Sequence, residues 1–298
     1  MHADLRISDC IHVFINGLMM IIKNIEQKSF EWLEMRKKSV TSTDSAVIML
    51  HSPYKTPYKL WLQKLGLEDG EFDNAAMKHG REMEPYALSL FNKQYGCNCI
   101  PIVAFHEEHS FMMASIDGYD SEKKIVIEIK CPTSSKLLSD DIPGIYYSQM
   151  QHILSVTGLQ LCHYVIFYDG IIHHLEVNRN DEYINELIEK EKEFYKCLQE
   201  LTPPALAEKD YTLASEEWEK IDSKRRIVKQ VIRELEEQEK VMKDSLISLA
   251  GQMNTVGIET KLTKVVQAGR VDYSVIPELQ GVDLTPYRKE PNVFWRLT

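Results

Sequence analysis

Long apolar runs are missing from this chain of 298 residues. The longest apolar stretch near the start, residues 11–22, is interrupted by His12, Asn16 and Gly17. It is shorter than the roughly 17–25 residues that a membrane-spanning helix needs, and it lacks the basic flank of a secretory signal. We therefore expect a cytoplasmic protein with no membrane partner.

Paired cysteine motifs are missing as well. The six cysteines include no CxxC pair, and the CxC motif formed by Cys97 and Cys99 has no second pair to match it. Zinc ribbons and iron–sulfur sites need such pairs, so the sequence supports neither. We expect reduced and mostly buried thiols, as is usual in a reducing compartment.

An excess of basic charge is the third missing feature. The formal net charge is −10, whereas a nucleic-acid-binding domain often carries a positive surplus. Part of the acidity lies where a cation site would need it, and the acidic run 181–193 is typical of a solvated helix face. The net charge therefore does not decide whether the partner is a nucleic acid. It predicts that binding to DNA would require a divalent metal and a localised basic track.

The residues that are present suit a globular chain, with 44% hydrophobic and 27% charged residues. We interpret residues 1–28 as an N-terminal extension and residues 29–202 as the main domain. Residues 203–298 are interpreted as a long helix with a small C-terminal α+β element. Pro203-Pro204 marks the boundary, because proline cannot continue a helix.

Helical periodicity dominates the first half of the main domain, and strand-like alternation follows it. We predict helices at 29–38, 46–50, 58–65, 74–95, 146–157 and 181–201. We predict strands at 100–105, 111–116, 125–130, 161–168 and 171–177, the last two joined by an Asp169-Gly170 hairpin turn. In the C-terminal part we predict a helix at 215–253 and a strand pair, 261–268 with 293–297. This order indicates an α/β (α+β) fold with a mixed central sheet flanked by helices.

Two neighbouring strands carry a candidate catalytic group. Glu128 and Lys130 are two residues apart on one strand, so both side chains leave the same face of the sheet. Asp117 lies at the end of the preceding strand, before a glycine turn, and a hairpin would bring it beside Glu128. Two carboxylates and one ammonium group would then converge on one spot.

This combination suits metal-dependent hydrolysis of phosphodiesters. Clustered carboxylates are costly without a cation, and hard oxygen ligands select Mg²⁺, with Mn²⁺ as a substitute. The metal polarises the phosphate and activates a bound water, while a lysine orients that water. The alternative is an ordinary amphipathic strand with a surface Glu–Lys pair, and the short motif alone does not exclude it.

Five blocks in the chain extend the motif. They are Trp32-Leu-Glu-Met-Arg36 with Val40-Thr-Ser-Thr43; Met77-Lys-His-Gly-Arg-Glu-Met-Glu84; Ala114-Ser-Ile-Asp117-Gly118; Glu128-Ile-Lys-Cys-Pro132; and Tyr147-Ser-Gln149-Met-Gln151. In order and spacing they resemble the lambda-exonuclease/YqaJ family of viral recombination nucleases, over about residues 29–200. The resemblance implies the PD-(D/E)xK, restriction-endonuclease-like fold and makes residues 29–202 a nuclease domain.

The resemblance also implies roles for the central residues. Asp117 and Glu128 would be metal ligands, with the Ile129 carbonyl completing the shell. Lys130 would orient the attacking water. Glu84 matches a helix glutamate of the family that assists the metal site, and we choose it over Glu82, which lies about 200° around the helix and faces elsewhere.

Further residues match positions that contact substrate in the family. Gln151, with Gln149 as the weaker candidate, would touch the active-site water or the DNA strand. Arg36 and Thr43 would hold a DNA phosphate, which we take to be the terminal 5′-phosphate. The alternative for Arg36 and Thr43 is a solvated helix end and a simple helix cap.

The implied function is an Mg²⁺-dependent exonuclease that digests double-stranded DNA from linear duplex ends in the 5′–3′ direction for phage-type recombination. An endonuclease with the same site and a non-catalytic DNA-binding or recruitment protein are the alternatives. Residues 203–298 lie beyond the family's minimal domain, and three roles stay open for them: packing on the nuclease domain, self-association, or recruitment of a partner such as a single-strand annealing protein. The resemblance further implies a homo-oligomer, a trimer in the family.

Overall fold

The computed structural model describes residues 10–15, 18–68, 74–139, 141–251, 253–267, 269, 276–279 and 282. The chain divides into two compact units, Met1–Tyr211 and Thr212–Thr298. The predicted strand 293–297 lies outside the described residues.

The first unit contains eight described strands and six described α-helices. The strands are β1 (Cys10–Ile15), β2 (Leu18–Lys23), β3 (Val40–Thr41), β4 (Ile100–His106), β5 (Met112–Asp120), β6 (Ile125–Lys130), β7 (Leu161–Tyr168) and β8 (Ile171–Asn178). The helices are α1 (Phe30–Lys38), α2 (Ser42–Ile48), α3 (Pro57–Lys64), α4 (Ala75–Tyr95), α5 (Gly144–Thr157) and α6 (Asp181–Glu200).

The strands form one mixed sheet in the order β1-β2-β4-β5-β6-β7-β8, with β3 paired to β5. The β3–β5 and β6–β7 pairs are parallel, and the other pairs are antiparallel. The predicted mixed central sheet flanked by helices is confirmed. Residues 10–15 and 18–23, which we interpreted as part of an extension, form β1 and β2 of this sheet, and Met20 pairs with His106 and is buried.

Helices cover both faces of the sheet. On one face, Ile153 and Leu154 of α5 join Ala104, Ala114 and other residues in the largest apolar cluster. On the opposite face, α4 contributes Ala87 and Phe91 to a cluster with Ile127 and Ile129, while Trp32 of α1 packs against Val103 and Phe105. The strands therefore alternate between two buried faces, which explains their almost continuous apolar runs.

Local signals in the sequence set several element ends. The side chains of Ser29 and Asn74 accept backbone N–H bonds at the starts of α1 and α4. Gly96 ends α4 in the left-handed conformation, with φ of 62°. The β7–β8 turn has positive φ at both Asp169 and Gly170, as a two-residue hairpin requires.

Strand β5 corrects one prediction. It continues through Asp120, so Asp117 lies inside the strand rather than before a glycine turn. The register between β4 and β5 is irregular between Ile100 and Ile102, and the Gln27 amide donates hydrogen bonds to Ile102 O at 3.0 Å and Ile116 O at 3.2 Å. A β-bulge of this kind redirects the side chains that follow it.

The second unit contains α7 (Glu216–Leu249), β9 (Thr255–Val256) and β10 (Lys261–Leu262). The Ser215 hydroxyl caps α7, and apolar side chains such as Val228, Leu235 and Leu246 are exposed along it. Strand β10 pairs with β9, a pairing that we did not predict. The partner predicted for residues 261–268, the strand 293–297, lies outside the described residues. None of the described helices is long and apolar enough to span a membrane.

Candidate active site

The pairing of β5 with β6 brings the two predicted carboxylates to neighbouring positions. Gly118 is registered opposite Ile127, and Asp117 and Glu128 are the next residues beyond that pair. The Asp117 carboxylate accepts a hydrogen bond from the Ile129 N–H at 2.8 Å. This bond fixes the Asp117 side chain across the gap between the two strands.

Gly118 allows the close packing around this pair. A Cβ atom at this position would lie 2.7 Å from the Ile127 side chain and 2.9 Å from Leu88. Glycine therefore lets β5, β6 and α4 approach one another directly beside Asp117, which accounts for the Asp-Gly pair in the sequence.

Glu128 and Lys130 lie on the same face of β6, as the two-residue period predicts. Glu128 Oε1 accepts hydrogen bonds from Lys130 Nζ and from Gln149 Nε2, the latter at 2.6 Å. Lys130 Nζ also lies 5.1 Å from the centroid of the Tyr146 ring, within range of a cation–π contact. Glu128 is thus held between a strand lysine and a residue of α5.

Removal from solvent makes the charged forms of these carboxylates costly, with Glu128 buried and Asp117 half-buried. Glu128 is only 1% exposed, and burial together with the nearby Asp117 charge raises its pKa to about 8. Burial also raises the pKa of Asp117. Although burial lowers the pKa of Lys130, the charges of Glu128 and Asp117 outweigh that effect and raise it, so the lysine is charged.

The donor set fits a divalent cation. Among the described residues, no group donates a hydrogen bond to Glu128 Oε2, although that atom is buried. A buried carboxylate oxygen without a partner is unfavourable, and hard oxygen donors such as those of Asp117 and Glu128 are the usual ligands of Mg²⁺. A cation would neutralise the two acids and satisfy the free oxygen. That the Ile129 carbonyl oxygen is a third ligand of the ion remains a prediction.

Helix α4 adds Glu84 to this acidic group. Burial and the Asp117 charge raise the pKa of Glu84, whereas Lys28 and Lys130 act in the opposite direction. Glu82, 200° around the helix, is instead exposed and lies near Lys78. The choice of Glu84 over Glu82 agrees with this geometry. Lys28, which lies close enough to affect both Glu84 and Asp117, was missed because it precedes every recognisable motif.

The ranking of the two glutamines is corrected. Gln149 contacts Glu128, whereas the Gln151 amide donates to Asn178 O at 2.8 Å and accepts from Asn180 N at 2.9 Å. Both ends of the Gln151 amide are therefore used to join α5 to the segment between β8 and α6. Residues two apart on a helix face different directions, so α5 presents only one of them to Glu128.

The predicted phosphate-binding residues meet at a second location. The Arg36 guanidinium donates a hydrogen bond to Thr43 Oγ1 at 3.0 Å and stacks 4.6 Å from the Trp32 ring centroid. Burial lowers the pKa of Arg36, and Asp44 partly offsets this effect. Thr43 is exposed, so a ligand could reach the guanidinium–hydroxyl pair.

Lys64 supports this pair and was missed from the sequence. Its ammonium group donates to Arg36 O at 2.6 Å and Ser39 O at 2.7 Å, and it forms an ion pair with Asp44 at 2.5 Å. Asp44 also accepts from the Thr41 backbone and hydroxyl. Lys64 thereby joins the end of α1 to the start of α2, and its position in α3 gave no signal of this role.

Two curated proteins are similar to this chain in sequence. The chain is 28% identical over 185 residues to "Uncharacterized protein YqaJ" of Bacillus subtilis, covering 59% of this chain and 58% of the relative. It is 32% identical over 173 residues to "Uncharacterized protein R354" of Acanthamoeba polyphaga mimivirus, covering 50% of this chain and 31% of the relative. The chain thus spans less than two thirds of either curated relative.

A solved structure shares the architecture. The alkaline exonuclease LHK-Exo from Laribacter hongkongensis is 25% identical, with a TM-score of 0.51, and the match covers 58% of this chain and 94% of that protein. LHK-Exo has also been solved in complex with dAMP, with 26% identity, a TM-score of 0.50 and the same coverage. Residues 31–160, which hold all the predicted site residues, match the family described as the YqaJ-like viral recombinase domain. The chain is therefore similar to the YqaJ-like viral recombinase domain over residues 31–160, and its restriction-endonuclease-like fold is similar to that of the alkaline exonuclease LHK-Exo.

Proposed function

We propose that this chain is a divalent-metal-dependent deoxyribonuclease that digests linear duplex DNA from its 5′ ends. The observation that carries the proposal is the convergence of Asp117 and Lys130 on the buried Glu128, one oxygen of which lacks a hydrogen-bond partner among the described residues. The likeness to an alkaline exonuclease supports a phage-type nuclease. Mg²⁺ is the proposed ion, and Mn²⁺ is expected to replace it.

Asp117 and Glu128 would hold the ion, with the Ile129 carbonyl as the proposed third protein ligand. When bound, a divalent ion polarises the scissile phosphate and lowers the pKa of a coordinated water. Glu84 interacts electrostatically with Asp117 from α4, so it is placed to assist through the water shell or directly. These acids supply the negative charge that retains a cation in a buried position.

Lys130 is the proposed water-orienting group. Its raised pKa keeps it protonated, so it acts as a hydrogen-bond donor and electrostatic partner rather than as a general base. A charged donor beside the reacting phosphate stabilises the negative charge that grows in the transition state. Gln149 Nε2 donates a hydrogen bond to Glu128 Oε1 at 2.6 Å, so Gln149 is a positioning residue for the carboxylate.

The Arg36–Thr43 pair is the proposed anchor for the terminal 5′-phosphate. A guanidinium and a hydroxyl both donate hydrogen bonds to phosphate oxygens, and Arg36 is oriented by Trp32 and Thr43. An anchor for the chain end favours digestion from a terminus over internal cutting. The dAMP complex of LHK-Exo supports a nucleotide ligand for this fold.

A single assay tests this function. Linear duplexes labelled at either end, with and without a 5′-phosphate, are incubated with the chain and Mg²⁺. We expect release of mononucleotides from the 5′-terminated strands, faster with the 5′-phosphate, and no product in EDTA. Efficient cutting of covalently closed circular DNA would instead establish an endonuclease. Tight DNA binding without hydrolysis in either Mg²⁺ or Mn²⁺ would establish a recruitment protein.

Assembly and partners form a separate part of the proposal. The apolar side chains of α7 recur with heptad-like spacing and are exposed in the described structure, which supports self-association of the chain or recruitment of a single-strand annealing protein. Light scattering of the purified chain would report a trimer if the family's assembly applies here. A monomer at micromolar concentration would contradict self-association.

A further inference from the structure

The β7–β8 hairpin carries a second group of metal-ligating side chains. His163 of β7 is registered opposite Glu176 of β8, and His174 lies two residues from Glu176. Because alternate residues share a face, all three side chains project from the same side of the hairpin. We call these three residues the His–Glu cluster.

The ligand atoms of the His–Glu cluster already converge. His163 Nδ1 and His174 Nε2 are 2.7 Å apart, and one ligand atom from each of the three residues lies within 4.8 Å of the others. Donor atoms around a tetrahedral zinc ion, bonded at about 2.0–2.1 Å, are roughly 3.4 Å apart. Small side-chain rotations would therefore fit an ion among them.

Neighbouring rings orient the two imidazoles. His163 and His174 lie 6.2 and 5.9 Å from the Phe91 ring centroid, and His174 lies 5.3 Å from that of Tyr95. Both histidines are half-buried, whereas Glu176 is exposed. The imidazoles are thus held against α4, and the carboxylate completes the cluster from the solvent side.

The His–Glu cluster is separate from the candidate active site. His163 is paired with Ile127, and the side chain of Ile127 packs against α4. Glu128 is paired with Tyr164, which packs on the other face of the sheet with α5. Glu128 and the His–Glu cluster therefore lie on opposite faces of the sheet. Their chemistry also differs, because oxygen donors favour Mg²⁺ whereas imidazole donors favour Zn²⁺ and neighbouring transition metals.

We propose that the His–Glu cluster binds one Zn²⁺ ion. Two imidazoles and one carboxylate are a common set of three protein ligands for zinc, with a water in the fourth position. Zinc would displace the proton that His163 and His174 share across their 2.7 Å contact and release it to solvent. The ion would tie β8, the last strand in the described sheet order, to β7.

The test measures retained zinc in the full chain. The protein is loaded with ZnCl₂, dialysed against zinc-free buffer that contains excess Mg²⁺, and analysed by elemental mass spectrometry. We expect about one retained Zn²⁺ per chain in the wild type and in E128Q, and at least tenfold less retained zinc in H163Q and H174Q. H173Q is the matched control, because His173 is a half-buried neighbour on the same strand and lies outside the cluster.

Two further measurements keep the test decisive. E176Q changes an exposed residue and leaves the packed rings in place, so its expected loss of zinc affinity does not depend on refolding of the core. Zinc should raise the melting temperature of the wild type and H173Q, but not that of H174Q. Unchanged zinc in H163Q, H174Q and E176Q, or an equal loss in H173Q, would overturn the proposal. Loss of zinc in E128Q alone would place the ion at the candidate active site and overturn it equally.

Discussion

Glu128 makes the stability of the metal-free chain depend on pH in a direction that can be tested. Burial and the Asp117 charge raise its pKa from the ordinary 4.5 to about 8. A carboxyl group with a raised pKa binds its proton more tightly in the folded chain than in the unfolded chain. Its contribution to stability is therefore complete below pH 4.5 and is lost as the pH rises through 8.

The size of the effect follows from the shift. At about 1.4 kcal/mol per pKa unit, the shift sets an upper limit of about 5 kcal/mol on the lost stability. The nearby acids Asp117 and Glu84 also influence the titration of Glu128, so we expect a loss of a few kcal/mol. For a chain of this length, that loss corresponds to a melting temperature lower by about 5–10 °C at pH 8.5 than at pH 5.5.

The assay compares thermal unfolding of the wild type, E128Q and E82Q in EDTA at the two pH values. E128Q keeps the shape of the side chain and removes its titration, so its stability should fall less with pH. E82Q changes an exposed glutamate on α4 and should behave as the wild type does. Mg²⁺ should restore stability at pH 8.5 in the wild type but not in E128Q. Equal pH dependence in the wild type and E128Q would refute the reasoning.

Further predictions concern individual side chains. Lys130→Ala should lower kcat by about 10²–10³-fold, because the transition state loses a hydrogen-bond donor. Circular dichroism should show an intact fold, and retained cleavage would contradict the role of Lys130. Gln149→Ala should reduce kcat, because Glu128 would lose the side chain that positions it. Gln151→Ala should chiefly reduce the free energy of unfolding, by about 1–3 kcal/mol, because it leaves backbone groups unpaired. Steady-state kinetics and urea unfolding separate the two effects, and the reverse pattern would restore Gln151 to the site. Arg36→Ala should abolish the preference for 5′-phosphorylated ends in competition assays, while cleavage of unphosphorylated ends persists. An unchanged preference would refute the proposal that Arg36 binds the terminal phosphate.

The sequence predicted the features that depend on local geometry. The two-residue period of a strand put Glu128 and Lys130 on one face, and the helical repeat separated Glu84 from Glu82. The Asp169-Gly170 turn fixed the β7–β8 hairpin. Each of these follows from a few adjacent residues, so tertiary packing did not alter it.

Features set by distant contacts were not predictable from the sequence. Strand β2 pairs with β4, about 80 positions later in the chain, and no local pattern in residues 18–23 identified that partner. The rotation of α5, which decides between Gln149 and Gln151, depends on how its apolar residues pack on the sheet. In the sequence, Lys64 is indistinguishable from an ordinary helix lysine, because its role depends on contacts with α1 and α2 that form only in the folded chain.

Anomalous scattering from crystals soaked in Mn²⁺ tests the central claim most directly. We predict a peak within about 2.0–2.6 Å of a carboxylate oxygen of both Asp117 and Glu128, the bond range of hard cations, and no such peak in E128Q crystals. Mn²⁺ bound elsewhere, or carboxylates too far apart to share one ion, would contradict the assignment of these two acids as the metal site.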